Sequence, residues 1–392
     1  MEKTRSVDRA KKAKEDEFYT QLSDIEKELH HYKAHFNGKT ILCNCDDPFE
    51  SNFFKYFVLN FNRLGLRKLI ATCYAGSPIA NRQLSIFDIL RDTEGNTNKP
   101  YKAIVTTVYD KTGDGGIDML DIAELFKSGE NELTELTGDG DFRSPECLAL
   151  MDEADIVVTN PPFSLFREYV DTLIKCNKSF IIIGPKNAIT YKEIFPLLMN
   201  NQMWVGYGFA HGDAYFHIPA ENAREFANGV YNPENGLVHF RNCTWFTNLD
   251  IKKRSEEMIL VSRYDPETYP SYDNYDAINV DKVVSIPCDY TGVMGVPITF
   301  LDNYSPEQFE IIGIAKAGAG DASLKTKEYP LQKQIDKNGK ISNVRKLNDG
   351  PAIKVSEPPK GVTYYMIGEE IYIQTYARIL IRNKHPELPK ED

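Results

Sequence analysis

The stretch from Ala154 to Phe166, ADIVVTNPPFSLF, constrains the fold more than any other part of the sequence. Its apolar, β-branched run predicts a buried strand, and Pro161 and Pro162 end that strand because neither can donate a main-chain hydrogen bond. The carbonyl groups of Asn160 and Pro161 are then expected to extend beyond the sheet, next to the ring of Phe163. Hydrogen-bond acceptors beside an aromatic plate suit a planar ring that bears an amino group.

The same tetrapeptide is also compatible with a simple exit turn, because Asn-Pro often starts turns and Phe often packs in a core. Its surroundings favour a binding site. Strand and helix patterns alternate along this part of the chain, which predicts an α/β fold with a doubly wound sheet and an antiparallel finish. Open α/β sheets bind ligands outside the carboxyl ends of their strands, where this turn is expected to lie.

The composition is that of an ordinary globular protein, with 42% hydrophobic and 26% charged residues in a chain of 392. That length predicts two domains more readily than one. Neither a long apolar segment nor a signal peptide is recognisable, so we expect a cytoplasmic protein without a membrane partner. The seven cysteines are scattered and form no C-x-x-C pair, which argues against a disulfide framework and against a structural zinc site.

The charge is unevenly distributed along the chain. The formal net charge of −11 argues against a protein that coats nucleic acid by bulk attraction. The segment 315–392, however, carries 14 Lys and Arg against 10 Asp and Glu. A nucleic-acid partner would therefore have to meet a local face of the protein.

A candidate cofactor turn follows the first strand pattern, KTILCNC. The turn, Cys45-Asp46-Asp47-Pro48, leads into a helix, and the first turn of a βαβ unit commonly lies against a nucleotide-like ligand. It contains no glycine, which disfavours a dinucleotide or ATP. The two aspartates suit a ligand with a cationic group or hydroxyl groups, although turn and cap positions also favour Asp.

A second candidate cofactor segment is LTELTGDGDF, residues 133–142. Its glycines permit a close backbone approach, and Asp141 and Phe142 could hydrogen-bond to and pack against a purine-like ring.

The chain divides into three predicted regions. Residues 1–36 read as an N-terminal helical arm with apolar side chains at helical spacing. Residues 37–250 form the expected α/β domain, with a polar stretch at about 77–120 interpreted as an inserted arm. Residues 251–392 read as a separate, β-rich and partly basic region.

Four stretches together resemble the EcoRI-type adenine-specific DNA methyltransferases: NPPF, CNCDDPFESNFFKYF, TWFTNLD and GVMGVPITFLDNYSPEQFEIIG. The resemblance extends over about residues 36–382. It implies a Rossmann-like S-adenosylmethionine-dependent methyltransferase sheet with a C-terminal β-rich target-recognition module. The implied reaction is site-specific transfer of a methyl group from S-adenosylmethionine to the N6 amine of a flipped-out adenine in double-stranded DNA, with S-adenosylhomocysteine as the product and no metal required.

The resemblance also assigns roles to individual residues. Asn160, Pro161, Pro162 and Phe163 fall on the catalytic tetrapeptide, and Asn160 also borders the cofactor. The turn Cys45-Asp46-Asp47-Pro48 falls where other methyltransferases have a glycine-rich cofactor loop. Asp141 and Phe142 fall near the position that contacts the adenine of the cofactor. The second strand pattern ends at Ala71-Thr72-Cys73-Tyr74 without the ribose-binding acid that many methyltransferases carry there.

The implied partner of residues 251–392 is duplex DNA. We expect contacts with the DNA backbone from Lys325, Lys327, Lys333, Arg345 and Lys346, although a solvated basic loop would carry the same residues. A monomer is expected, with a cognate restriction endonuclease as a functional rather than a physical partner.

Other functions remain compatible with part of the pattern. An RNA adenine or a protein glutamine presents a similar planar amine, so a methyltransferase acting on either could use the same tetrapeptide. A binding protein without activity would need a broken tetrapeptide, and NPPF is intact. A nucleotide-dependent oxidoreductase is disfavoured because G-x-G-x-x-G is missing.

Overall fold

The structure is a computed structural model that describes residues 19–45, 51–73, 100–209, 213–217, 230–232 and 234–387. The chain divides into two compact units. The first contains residues 1–186 and 205–249, and the second contains residues 187–204 and 250–392.

The α-helices of the described chain are α1 (Leu22–Leu29), α2 (Lys33–Phe36), α3 (Asn52–Leu59), α4 (Phe61–Leu64), α5 (Met119–Lys127), α6 (Pro145–Glu153), α7 (Phe166–Lys175) and α8 (Phe195–Met199). The strands up to Thr247 are β1 (Tyr19–Thr20), β2 (Thr40–Cys43), β3 (Lys68–Thr72), β4 (Tyr101–Val105), β5 (Glu132–Glu135), β6 (Ile156–Thr159), β7 (Ser179–Pro185), β8 (Trp204–Val205), β9 (Ala214–His217), β10 (Tyr231–Asn232), β11 (Leu237–Phe240) and β12 (Cys243–Thr247). The later strands are β13 (Ile278–Asn279), β14 (Met294–Pro297), β15 (Phe309–Ala315), β16 (Gln332–Ile335), β17 (Ile341–Val344), β18 (Ala352–Val355), β19 (Tyr364–Ile367), β20 (Glu370–Gln374) and β21 (Arg378–Asn383).

A mixed sheet of eight strands dominates the first unit, in the order β5-β4-β3-β2-β6-β7-β12-β8. Its four middle strands, β3, β2, β6 and β7, are parallel to one another. From β2 the chain continues to β3, toward one edge of the sheet, and from β6 it continues to β7, toward the opposite edge. The boundary between β2 and β6 is therefore a topological switch point, where open α/β sheets form a crevice. The predicted mixed α/β architecture is confirmed.

The middle strands form because their residues suit a sheet that is covered on both faces. All four residues of β2 and all four of β6 are buried, and most of them are aliphatic. Helix α7 buries Phe166, Tyr169, Val170 and Leu173, which recur at the spacing of one helical face. A Cβ at Gly184 in β7 would clash with the ring of Phe166, so this glycine permits a close approach of helix and strand.

The stretch at about 77–120, interpreted as an inserted arm, contains strand β4 in its described part. Strand β4 pairs antiparallel with β3 and β5, and it lies within the large sheet. Tyr101, Ala103 and Val105 are buried there. The polar flanks suggested an excursion, but strand pairing is decided by distant residues that the local pattern does not reveal. Residues 74–99 lie outside the described part of the chain.

A small second sheet lies in the same unit, in the order β1-β9-β11-β10. Its pairs are antiparallel, with Phe216 of β9 opposite Val238 of β11. Phe216 and Val238 are fully buried, whereas Tyr215 and His217 on the other face are exposed. This alternation is typical of a sheet that covers a core with one face.

The predicted N-terminal amphipathic helix is present as α1, which buries Ile25, Glu28 and Leu29. Residues 1–18 lie outside the described part. The carboxylate of Glu28 accepts hydrogen bonds from the backbone N–H groups of Tyr207 and Gly208, both at 2.9 Å, and from the hydroxyl of Tyr32 at 2.8 Å. A buried carboxylate is stable only with such partners, so these bonds fix the helix to the 206–208 loop.

The second unit is rich in strands. One sheet has the order β13-β14-β21-β15, and the other has the order β17-β16-β19-β20-β18. An apolar cluster that includes Tyr272, Leu380 and Ile353 draws on both sheets, because Leu380 belongs to β21 and Ile353 to β18. A separate cluster around Tyr365 and Tyr372 lies on the five-stranded sheet.

We predict that Glu28→Ala lowers the free energy of unfolding by about 3 kcal/mol, because it leaves two backbone donors and one hydroxyl without their charged acceptor. Thermal or urea unfolding of the purified protein measures the loss. The control is Glu26→Ala, which removes an exposed carboxylate from the same helix and should change stability by less than about 0.5 kcal/mol. Equal effects of the two substitutions would contradict an anchoring role for Glu28.

Candidate functional site

The tetrapeptide lies where strand β6 ends at the switch point. Asn160 and Pro161 are buried, and Pro162 and Phe163 are half-buried. The carbonyl of Pro162 accepts a hydrogen bond from the backbone N–H of Leu165 at 3.0 Å, which closes a short 3₁₀ turn that leads into α7. The prolines themselves contribute no N–H donor to this turn.

Asn44, the residue after β2, connects the ends of the two central strands. The hydroxyl of Thr159, at the end of β6, donates a hydrogen bond to the carbonyl oxygen of Asn44. The hydroxyl of Tyr169, on α7, donates to the side-chain oxygen Oδ1 of the same residue. Because Asn44 precedes Cys45 and Thr159 precedes Asn160, these bonds hold Cys45 and Asn160 at neighbouring strand ends.

The Tyr169 hydroxyl is kept protonated in this position. The ring is fully buried, and burial is the main cause that raises its pKa well above the usual tyrosine value. A protonated phenol can serve as the donor to Asn44 at any physiological pH. The contact therefore does not depend on pH in the physiological range.

Cys45, the first residue of the predicted cofactor turn, has a left-handed backbone conformation, with φ of 84°. A residue with a Cβ adopts this conformation at a cost of about 1 kcal/mol, so its surroundings must hold Cys45 in it. The other three turn residues, Asp46, Asp47 and Pro48, lie outside the described part of the chain, and their predicted cofactor contacts remain predictions.

The 138–143 loop closes against the end of strand β3. Gly140 has φ of +78°, and a Cβ at this position would clash with the carbonyl oxygen of Cys73. Only glycine combines that conformation with so close an approach. The loop therefore carries Asp141 and Phe142 to the same carboxyl edge as Cys45.

Asp141 is held by an arginine. Arg143 donates to the Asp141 carboxylate from its backbone N–H at 2.8 Å, from Nε at 2.9 Å and from Nη2 at 2.6 Å, and its Nη1 reaches Glu168 at 2.9 Å. Burial raises the pKa of the Asp141 carboxyl, but the bonds from Arg143 outweigh burial and hold the pKa below its ordinary value. The carboxylate is therefore charged and fixed in orientation.

Phe142 and Phe163 each pack against another aromatic ring. Phe142 is buried with its ring edge-on to Tyr169, at 4.9 Å between centroids. Phe163 meets Phe240 of β11 edge-on at 6.5 Å, and Phe240 in turn meets Phe216 at 5.6 Å. The small sheet therefore supports the half-buried ring of the tetrapeptide.

The five predicted DNA-contact residues fall into two groups. Lys325 is bound within the second unit, with its ammonium 2.8 Å from Glu328 and 3.0 Å from the carbonyl of Asn348. Lys327 forms an ion pair with Asp273 at 2.6 Å. The other three, Lys333, Arg345 and Lys346, are exposed.

Sequence reasoning missed Asn44, Tyr169, Arg143 and Phe240. A weak signal existed for Asn44, a polar residue between the cysteines of CNC at the end of an apolar strand. Arg143 directly follows the Asp141-Phe142 pair, which points to a local ion pair. No local pattern identifies Tyr169 or Phe240, because their contacts join distant parts of the chain.

Within the described ranges, no group of three or more His, Cys, Asp or Glu side chains is placed to hold a metal ion. None of the described helices is long and apolar enough to cross a membrane.

Residues 6–384 match the sequence model of a family described as adenine-specific methyltransferase EcoRI. The type II methyltransferase M.EcoRI of Escherichia coli is 46% identical over 316 residues, which cover 79% of this chain and 88% of the relative. M.MgeORF184P of Mycoplasma genitalium is 34% identical over 354 residues, covering 86% and 96%, and M.MpnI of Mycoplasma pneumoniae is 36% identical over 327 residues, covering 82% and 89%. No solved structure matches the chain.

We predict that Gly140→Ala destabilises the first unit by about 2 kcal/mol, because the added Cβ meets the carbonyl of Cys73 in a backbone conformation that alanine disfavours. Gly138→Ala is the matched control in the same loop, since a Cβ there has no neighbour within 4 Å. Thermal unfolding compares the two variants. A Gly140→Ala protein as stable as the Gly138→Ala protein would disprove the close approach.

Proposed function

The chain belongs to the family of adenine-specific methyltransferases of the EcoRI type, and we propose that it is a site-specific DNA methyltransferase. It transfers a methyl group from S-adenosylmethionine to the N6 amine of an adenine in double-stranded DNA and leaves S-adenosylhomocysteine. The observation that carries the proposal is the position of Asn160-Pro161-Pro162-Phe163 at the carboxyl end of β6, beside the end of β2 at the switch point.

The residues at this edge fit the methyl donor. Four parallel middle strands with a switch point support a Rossmann-like sheet, in which the first βα turn lies against the cofactor. Gly140 lacks the Cβ that would keep its loop away from β3, so Asp141 and Phe142 reach the edge where Cys45 begins its turn. We propose that these residues, with Asp46, Asp47 and Pro48, hold S-adenosylmethionine, and that Asn160 borders it. No protein-bound metal is required.

The chemistry of the proposed reaction depends on the target amine. An aromatic amine is a poor nucleophile because its lone pair is delocalised into the ring. Bound S-adenosylmethionine supplies an electrophilic methyl group on a sulfonium. Asn160 and Pro161 offer acceptors to the amine hydrogens, which favours the pyramidal nitrogen of the transition state over the planar ground state. Orientation of the amine supplies the remaining lowering of the barrier.

The target base must leave the helix to reach these acceptors, because its amine is not accessible in line within a stacked duplex. We propose that Phe163 stacks on the flipped adenine and recovers part of the unstacking free energy. Phe163 is half-buried at the end of the tetrapeptide, and its ring meets Phe240 edge-on.

We further propose that residues 251–392 form the target-recognition module. Lys333, Arg345 and Lys346 are its exposed candidates for contacts with DNA. Lys325 and Lys327 would have to exchange their carboxylate partners for phosphates, which makes them weaker candidates. Action as a monomer in the cytoplasm, alongside a cognate restriction endonuclease as a functional partner, belongs to the same proposal.

We predict that Asn160→Ala binds S-adenosylmethionine within about twofold of wild type but lowers kcat for methyl transfer by about 100-fold or more, because one acceptor of the amine is lost. Asn160→Asp keeps an acceptor and should retain more activity than Asn160→Ala. Calorimetry measures cofactor binding, and transfer of labelled methyl to duplex DNA measures kcat.

The control for this series is Asn303→Ala, which removes an exposed amide from the second unit and should leave kcat unchanged. Wild-type turnover by Asn160→Ala would exclude the assigned role of Asn160. Competition among duplex DNA, RNA and glutamine-containing peptide identifies the substrate: if RNA or peptide outcompetes the duplex, the DNA assignment fails while the amine chemistry stands.

A further inference from the structure

A basic ribbon, defined as residues 332–346, stands out on the surface of the second unit. It consists of β16, a turn and β17, which pair antiparallel; β16 also pairs with β19, so the ribbon is the edge hairpin of the five-stranded sheet. It contains five basic residues and a single acid, Asp336. All five basic residues are exposed: Lys333, Lys337, Lys340, Arg345 and Lys346.

The one acid of the ribbon is used to build its turn. Asp336 accepts hydrogen bonds from the backbone N–H groups of Asn338 at 2.8 Å and Lys340 at 2.9 Å. The backbone of the turn is closed by a bond from Gly339 to the carbonyl of Asp336 at 2.9 Å. The turn is therefore ordered, and its acid is oriented toward the backbone while the cations project into solvent.

Three other cations of the second unit are paired with carboxylates. Lys354 pairs with Glu370 at 2.7 Å, and Lys325 and Lys327 pair with Glu328 and Asp273. The ribbon thus concentrates positive charge on one edge hairpin of a protein whose net charge is −11. This complementarity to a polyanion selects nucleic acid as the occupant.

The strand register places two polar side chains side by side on the exposed face. Lys333 of β16 lies directly opposite Asn343 of β17. The preceding pair, Gln332 and Val344, points the other way: Gln332 is buried and Val344 packs on the apolar cluster of this sheet. Because side chains alternate along a strand, Lys333 and Asn343 project together from the outer face.

We propose that the basic ribbon enters the major groove of the DNA, where Lys333 and Asn343 contact base edges and Lys337, Lys340, Arg345 and Lys346 contact phosphates. The major groove admits a pair of antiparallel strands, and this pair forms the edge of its sheet. There a lysine suits the O6 and N7 acceptors of guanine, and an asparagine suits the N7 and N6 groups of adenine. The inference rests on the proposed function and adds the element that determines its sequence specificity.

A competing explanation is that the lysines only protect an edge. Strand β17 is the outermost strand of its sheet, and charged edge strands prevent pairing with other chains. Edge protection requires charge but not a particular base. The two explanations therefore predict different behaviour on altered DNA sites.

The first experiment measures discrimination. The site that wild type methylates is mapped by sequencing, and kcat/KM is then compared between that site and duplexes that carry single base-pair changes. We expect Lys333→Ala and Asn343→Ala each to lose about tenfold or more of the discrimination at one base pair. Ser342→Ala, the neighbouring residue of β17 that points to the opposite face, should discriminate like wild type.

The second experiment measures the salt dependence of DNA affinity. Replacing both Lys337 and Lys340 by Ala should reduce the slope of log K against log salt by about 2. The matched control replaces Lys127 and Lys175, which are paired with Glu124 and Asp171 on helices of the first unit, and should leave the slope unchanged. Melting temperatures of all variants establish that they are folded, as expected for exposed positions.

Failure of the proposed function and failure of the ribbon's role give different results. If wild type methylates no duplex DNA, the proposed function fails. If wild type methylates a defined site, and the Lys333 and Asn343 variants discriminate as it does, the base-reading role of the ribbon is overturned alone. An unchanged salt slope in the Lys337 and Lys340 variant overturns the phosphate contacts.

Discussion

The hydrogen bonds to Asn44 are the interactions on which the site depends. Parallel strands β2 and β6 end side by side, and their chains then diverge into a turn and a helix. Thr159 and Tyr169 both donate to Asn44, so the two diverging segments remain together at the crevice. Burying an oxygen acceptor without a donor is costly, so these two bonds stabilise the arrangement. The Gly140 loop then approaches from β3, and the small sheet supports Phe163 from the other side.

Sequence patterns within short stretches predicted the features that depend on neighbouring residues. The strand before NPPF followed from β-branched residues and prolines, and the mixed α/β class followed from alternating strand and helix patterns. Contacts between residues far apart in sequence could not be predicted from these patterns. Strand β4 joins the large sheet through partners that its polar flanks conceal, and the bond between Tyr169 and Asn44 spans 125 positions. Likewise, Lys327 finds Asp273 54 positions away, so a cation that reads as available in sequence is paired in the fold.

The two units have complementary tasks in the proposed reaction. The first unit presents acceptors and aromatic rings at a switch point, which suits methyl transfer to a planar amine. The second unit carries the basic ribbon, whose charge contrasts with the acidic chain as a whole. Attraction through this ribbon favours binding in one orientation over indiscriminate coating of DNA.

The most direct measurement is a structure of the protein bound to an unreactive analogue of S-adenosylmethionine and a duplex that contains the methylated site. We predict an extrahelical adenine stacked on Phe163, with its N6 amine within about 3 Å of Asn160 Oδ1 and of the Pro161 carbonyl oxygen. An adenine that stays stacked in the duplex, or an amine bound away from these acceptors, would contradict it.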